Sequence, residues 1–241
     1  PNLQGVWDFR TITPLQRPED LGDKAFLTEE EAAQREQGAV DRNVTLWNKE
    51  AQRTEAGGNV GGYNNFWYDR GSSLGEERRT SLVVDPPDGK VPARTEAAQA
   101  RGAARRALLG RDAFGPEDRG AFERCLLGFN SGPPMNPSAY NNNMQLFQTD
   151  DHVAIVNEMV HDSRIIPLGD SEHLPNDVRQ WMGDSRGHWD GDTLVVETKN
   201  VRKTEASAAA VGGDPVLLRV ANGSDGDTIT VTERFTRMDE N

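Results

Sequence analysis

The stretch His188-Trp-Asp-Gly-Asp-Thr-Leu-Val-Val-Glu-Thr198 decides the fold class. Asp190-Gly191-Asp192 sits between two runs of β-favouring residues, and Asp-Gly in that place is a strong hairpin signal. Two similar units flank it. Upstream, Met144–Thr149 and Val153–Val160 enclose Asp150-Asp151, and Arg164–Leu168 continues the sheet. Downstream, Val216–Val220 and Thr228–Thr236 enclose Asn222-Gly-Ser-Asp-Gly226. Three hairpins in succession after residue 143 predict antiparallel strands.

The first half reads differently. Leu3–Ile12 predicts a strand with Leu3, Trp7 and Phe9 on one face and Asp8 and Arg10 on the other. Thr28-Glu29-Glu30-Glu31 is a capping box that opens a short helix, stopped at Gly38. Thr95 caps a helix to about Leu109, and Pro116 opens another to about Leu127. Arg79–Val84 and Lys90-Val91 flank Asp85-Pro-Pro-Asp-Gly89, a strand–turn–strand pattern. Residues 54–62 form a glycine-rich loop. Residues 128–143 form a long irregular loop of the length that often carries function. The N-terminal strand has no sheet of its own and must pair with later strands to satisfy its backbone. The expected fold is therefore mainly β: one domain over residues 1–241, an antiparallel barrel or strongly curved sheet, with helices inserted between about residues 28 and 127.

Charge narrows the partners. The chain of 241 residues carries 27 Lys+Arg against 39 Asp+Glu, a net charge of −12. Residues 1–120 have net charge −3 and residues 121–241 have −9. That balance opposes a phosphate backbone and an anionic membrane surface. The most basic stretch, Arg94 to Arg111, reads as the solvated face of an Ala-rich helix or as an anion patch. No apolar run reaches the ~18–20 residues of a membrane span. Cys125 is the single cysteine.

Leu3-x-Gly5-x-Trp7 at the opening of a first strand resembles the Gly-x-Trp opening of lipocalin-like β-barrels. Gln180-Trp-Met-Gly-Asp-Ser-Arg-Gly-His-Trp-Asp-Gly-Asp-Thr-Leu-Val-Val-Glu-Thr-Lys-Asn200 resembles a stretch of uncharacterised, mostly exported proteins of environmental bacteria. Arg79–Gly89 and Gly115–Arg119 resemble the same group. The resemblance implies a lipocalin-like barrel and export to the periplasm or beyond. It carries no reaction. The chain departs from the lipocalin pattern in its size, its helical insertions and its missing cysteine pairs.

Within this fold Glu233 is the most informative residue. Along Thr228–Thr236 the apolar side reads Ile229, Val231, Glu233, Phe235, so a carboxylate interrupts the buried face. A desolvated carboxylate there acts as a general acid or base. The alternatives are an arginine partner or a reversal of the face near the strand end. His161 shares a predicted face with Val153, Ile155, Asn157 and Met159 and is the second catalytic candidate. Tyr63, Trp67, Tyr140 and Trp189 are candidates for an aromatic cavity wall. Asn141 and Asn157 offer uncharged donors and acceptors to a neutral ligand.

No phosphate-binding glycine loop, nucleophile elbow or metal-spaced histidine pair is present, so no cofactor and no metal are expected. The leading expectation is a cofactor-independent enzyme of the lyase or isomerase kind acting on a small, neutral, aromatic molecule in the barrel cavity. The alternatives are a carrier using the same cavity without chemistry and a structural or assembly protein. Thr228–Phe235 leaves one sheet edge open, so the natural chain is expected to continue beyond Asn241, or the edge to pair with a second copy.

Overall fold

The computed structural model describes residues 1–49, 67–109, 114–116, 121–122, 124–202 and 229–238. Two compact units divide the chain. One, the β unit, comprises Pro1–Phe9, Arg94–Asn136 and Asn142–Asn241. The other, the loop-rich unit, comprises Arg10–Ala93 and Pro137–Asn141.

The β unit holds seven strands: β1 (Gly5–Asp8), β2 (Asn143–Gln148), β3 (His152–Asn157), β4 (Ser163–Pro167), β5 (Asp184–Asp190), β6 (Thr193–Lys199) and β7 (Val231–Thr236). They form two antiparallel sheets, ordered β1-β2-β3-β4 and β5-β6-β7. The predicted turns are where the reversals fall. Asp150 and Asp151 separate β2 from β3, and Gly191 lies in the turn from β5 to β6. The third predicted hairpin begins in residues outside the described set, and only its second strand is seen.

Alternation gives each strand one inner face. In the first sheet, Trp7 pairs with Met144, Leu146 with Ile155, and Val153 with Ile166. In the second, Trp189 pairs with Leu194, and Leu194 with Phe235. Leu146, Val153, Ile155 and Ile166 belong to the same buried cluster as Leu194 and Val196, so the two sheets enclose one apolar core. The sheets meet at β4 and β5, where Leu168 bridges Gly187 and Gly169 N–H donates to Gly187 C=O at 3.0 Å. A Cβ on Gly187 would stand 2.9 Å from Ile166 Cγ2 and 3.0 Å from Leu168 Cδ2. A side chain there would have to displace both, so glycine favours the close approach.

The result is mainly β, with two antiparallel sheets, and among the described residues no closed barrel forms. β1 and β7 are the outer strands of their sheets. Across that opening Arg237 Nη2 donates to Gln4 C=O at 3.0 Å, and its guanidinium lies 4.8 Å from the Trp7 ring centre.

The unit's helix, α2 (Glu96–Leu109), starts after Thr95, whose hydroxyl accepts from Ala98 N–H at 3.2 Å, as its sequence predicts. The helix expected from Pro116 to Leu127 does not form across the described residues there. Cys125 has φ 52°, the left-handed region, which a helix cannot contain. Its side chain is exposed.

In the loop-rich unit, α1 (Glu29–Trp47) opens on the predicted capping box. Thr28 Oγ1 accepts from Glu31 N–H, and Glu31 accepts from Thr28 N–H at 2.8 Å. The Lys24 ammonium beside Glu31, with the Thr28 N–H, holds that carboxyl down at about 2. Gly38 does not stop the helix. A helical glycine costs about 1 kcal/mol relative to Ala, and burial of Ala32 and Ala39 on one stripe outweighs it.

Arg79–Val84 and Lys90-Val91 do not become paired strands. They run as extended chain held by single bonds, such as Leu82 N–H to Pro14 C=O at 2.8 Å. The turn between them is real, with Gly89 at φ +70°. The organiser is Arg17, 4% exposed, whose guanidinium donates to Thr80 Oγ1 and to the Pro87 carbonyl, each at 3.0 Å.

Candidate functional site

The two inner faces of the β unit turn polar at one end. On β4, Arg164 and Ile166 point inward. On β7, Glu233 and Phe235 do the same. Arg164 Nη1 lies 2.5 Å from Glu233 Oε2, and the two side chains are 4% and 8% exposed. Glu233 therefore does interrupt the apolar face, as its sequence position implies, and it is paired with an arginine. The pair joins the two sheets and neutralises both charges.

Next to it lies the β3–β4 connection. Asn157 is the last inner residue of β3, and Asp162 the first inward residue on the return, with Asn157 N–H donating to Asp162 C=O at 2.8 Å. The intervening turn runs Met159–Asp162, with Val160 at φ 61° and His161 at φ 58°. Two successive left-handed residues make the mirror-image turn that suits strand twist, a place usually taken by Asn-Gly. A β-branched Val there costs on the order of 1–3 kcal/mol. His161 is consequently off the strand and exposed, not on the inner face with Val153 and Ile155 as its spacing suggested. Strand alternation ends at Asn157, and residues beyond it cannot be assigned to a face by counting.

Asn157 is 3% exposed, and its Oδ1 has no hydrogen-bond partner among the described residues. Asp162 is 9% exposed. Burial pushes its carboxyl above the usual range, while the Gly128 N–H donating to Oδ2 and the Ser131 hydroxyl work against that rise. Gly128 and Ser131 come from the long irregular loop predicted after Leu127, whose residues 128–136 belong to the β unit. A carboxylate, an amide and an ion pair thus cluster at the polar end of the interior.

Toward the open edge, the same interior contains a cavity of about 190 Å³ lined by Leu3, Trp7, Met144, Leu146 and Phe235, with Arg234 and Thr236 at its border. Trp7 Nε1–H is satisfied by Leu3 C=O at 2.9 Å, so the indole presents an apolar surface to it. Phe235 stands one inner-face position along β7 from Glu233. Trp189 is half-buried against the same core.

Other candidates fall in the second unit or outside the described residues. Trp67, Tyr140 and Asn141 belong to the loop-rich unit. Trp67 is 60% exposed. Tyr140 packs on Tyr68 with ring centres 6.2 Å apart, and Asn141 adopts φ 56°. Tyr63 lies outside the described residues. Among the described candidates, Trp189 belongs to the β unit and Trp67 and Tyr140 to the loop-rich unit.

The outer face of the second sheet carries a cluster that sequence reading passed over. His173 Nδ1 is 2.9 Å from Asp184 Oδ2, and Nε2 is 3.1 Å from Glu197 Oε1. Arg186 and Lys199 sit on those same carboxylates at 2.5 and 2.6 Å. The Lys199 ammonium, and then His173, hold the Glu197 carboxyl below its usual range. Asp184 and Glu197 are placed by alternation on β5 and β6, but His173 sits in irregular chain where no periodicity exposes it. Among the described residues, no three histidine, cysteine or carboxylate side chains gather in a group that could hold a metal ion. No described helix is long and apolar enough to cross a membrane.

Asp162 and Arg164 were also missed. Arg164 had a usable signal: it breaks the inner face of β4 just as Glu233 breaks that of β7, and two opposite charges on facing apolar surfaces call for each other. Compared with protein-family models, with curated proteins and with solved structures, the chain finds no match.

Proposed function

We propose that the protein binds a small, mostly neutral, aromatic molecule in the interior of the β unit and carries it unchanged. The observation behind this reading is the apolar cavity of about 190 Å³ beside Trp7 and Phe235. It exceeds the ~150 Å³ cavity that admits benzene and falls short of the ~300–1,000 Å³ of drug-sized sites. The ligand is then one aromatic ring with small substituents. Carriage is favoured over catalysis because Glu233 is neutralised by Arg164 and His161 stands on an exposed turn. The compartment in this reading is the periplasm or the exterior, as the resemblance implies.

Calorimetric titration with toluene and phenol tests the reading, with Trp7 fluorescence as a second signal. Saturable binding at submillimolar concentration is expected, lost in Leu146→Trp, which fills the cavity. Absence of binding by wild type, or equal binding by a folded Leu146→Trp protein, overturns it.

A second reading, cofactor-free proton transfer of the lyase or isomerase kind, is favoured by Asp162. A buried carboxyl pushed toward its neutral form suits a general acid. In this reading Asp162 takes the role first expected of Glu233. A bound compound recovered chemically changed from wild type, and unchanged from Asp162→Asn, supports it over carriage. Recovery unchanged from both proteins sinks it.

A further inference from the structure

We propose that the loop-rich unit contains a second binding site, selective for a small organic monocarboxylate with an apolar body. A cavity of about 130 Å³ opens within this unit, with Leu21, Leu27 and Leu74 among its apolar lining and Arg35, Arg42 and Arg79 also lining it. Arg35 and Arg42 are seven residues apart on α1, which is two turns and about 10 Å along one face. Each lies three residues beyond a buried alanine, Ala32 and Ala39 respectively. Both arginines therefore flank the stripe by which α1 packs. Arg79 arrives from the extended segment held beside Ala25 and Phe26.

Three arginines at one small cavity run against the composition of a chain with net charge −12. Their existing partners are weak competitors. Asp20 Oδ2 is 3.8 Å from Arg35, and its side chain is 73% exposed. Glu77 pairs with Arg79 through a side chain 67% exposed. Exposed pairs of this kind contribute ~0–1 kcal/mol. Among the described residues Arg42 has no hydrogen-bond or ion-pair partner.

A guanidinium without a partner beside an apolar hollow recognises an anion whose other end is hydrocarbon. Bidentate geometry favours a carboxylate, and the charged bond is about twice as strong as a neutral one. The volume sets the other limit. It is slightly below the ~150 Å³ that holds benzene, so the hydrocarbon part is no larger than one ring or a short branched chain. Inorganic phosphate would satisfy the arginines and leave the leucines unfilled. A neutral hydrocarbon would do the reverse.

The test is calorimetric titration of the full chain with benzoate, isovalerate, phosphate and toluene. It uses the Leu146→Trp background, so that the cavity of the β unit does not contribute and failure of that proposal is read separately. Benzoate or isovalerate is expected to bind at least roughly tenfold more tightly than phosphate or toluene. Arg42→Met should weaken the carboxylate by roughly tenfold or more, Arg42→Lys by less, and added salt should weaken it further. Both positions are exposed, so the variants should fold, and unchanged circular dichroism checks this. Carboxylate affinity unchanged in Arg42→Met and in Arg35→Met/Arg42→Met overturns the site. So does phosphate or toluene binding as tightly as the carboxylates, or no carboxylate binding at millimolar concentration.

Discussion

Arg164 and Glu233, 69 residues apart, meet at 2.5 Å inside the β unit, one from each sheet. Each would be a liability alone. An ion taken out of water loses several kcal/mol of hydration, and its partner returns that only with close geometry. The pair therefore specifies which face of β7 packs toward β4, because a one-residue slip of either strand would turn its own charge to the other face and leave the partner charge buried alone.

Removing one partner should cost far more than removing both. Glu233→Gln and Arg164→Met are each expected to lower unfolding free energy by about 3–5 kcal/mol. The double substitution Arg164→Met/Glu233→Leu should recover most of that loss. Urea denaturation of the four proteins measures it. A Glu233→Gln protein within about 1 kcal/mol of wild type would show that the pair contributes no such constraint.

The local chemistry of the β unit was readable. Asp150-Asp151 and Asp190-Gly191-Asp192 name their turns because those residues tolerate the required backbone. Glu233 was readable as a break in alternation, with an arginine partner among its outcomes. What failed needed tertiary partners. Arg79–Val84 has strand residues, but among the described residues it finds no ladder beyond Phe26. His161 followed the strand pattern in sequence, yet the turn had already begun. His173 had no signal at all, because its partners are separated from it by 11 and 24 residues of irregular and strand backbone.

That histidine leads to the second prediction. Its two ring nitrogens lie within hydrogen-bond distance of the Asp184 and Glu197 carboxylates, so the ring links β5 to β6. Asp184 Oδ2 also accepts from Leu174 N–H at 2.9 Å, which ties the irregular segment to β5. His173→Phe should loosen residues 170–178 without unfolding the sheets. The expected result is faster hydrogen exchange at Leu174, with Val195 and Val196 on β6 unchanged. Acid strong enough to protonate the carboxylates should act in the same direction. Glu197 has a lowered pKa, so its contribution is complete above the unfolded carboxylate value and is lost as pH falls through its folded one. Unchanged exchange at Leu174 in His173→Phe would refute the tie.

Asp162 should behave oppositely. Its folded pKa is raised by burial, so the folded state binds the proton more readily than the unfolded chain does. Its stabilising contribution is fully present below the unfolded value of about 3.8–3.9 and is lost as pH rises through the folded pKa. At neutral pH burial disfavours the charged carboxyl by more than its bond to the Gly128 N–H favours it. Asp162→Asn keeps an acceptor for the Gly128 N–H and deletes the charge. The variant should therefore be more stable than wild type at pH 7, by about 0.5–2 kcal/mol, the ordinary size of a single stabilising substitution. The gap should close toward pH 3, where wild type is also neutral at this position. Urea midpoints at the two pH values measure it. A variant less stable than wild type at pH 7, or equally displaced at both, would show that the charge is compensated where it lies. A stable variant that no longer binds or converts the ligand would identify Asp162 as a carboxylate whose stability cost serves the interior site.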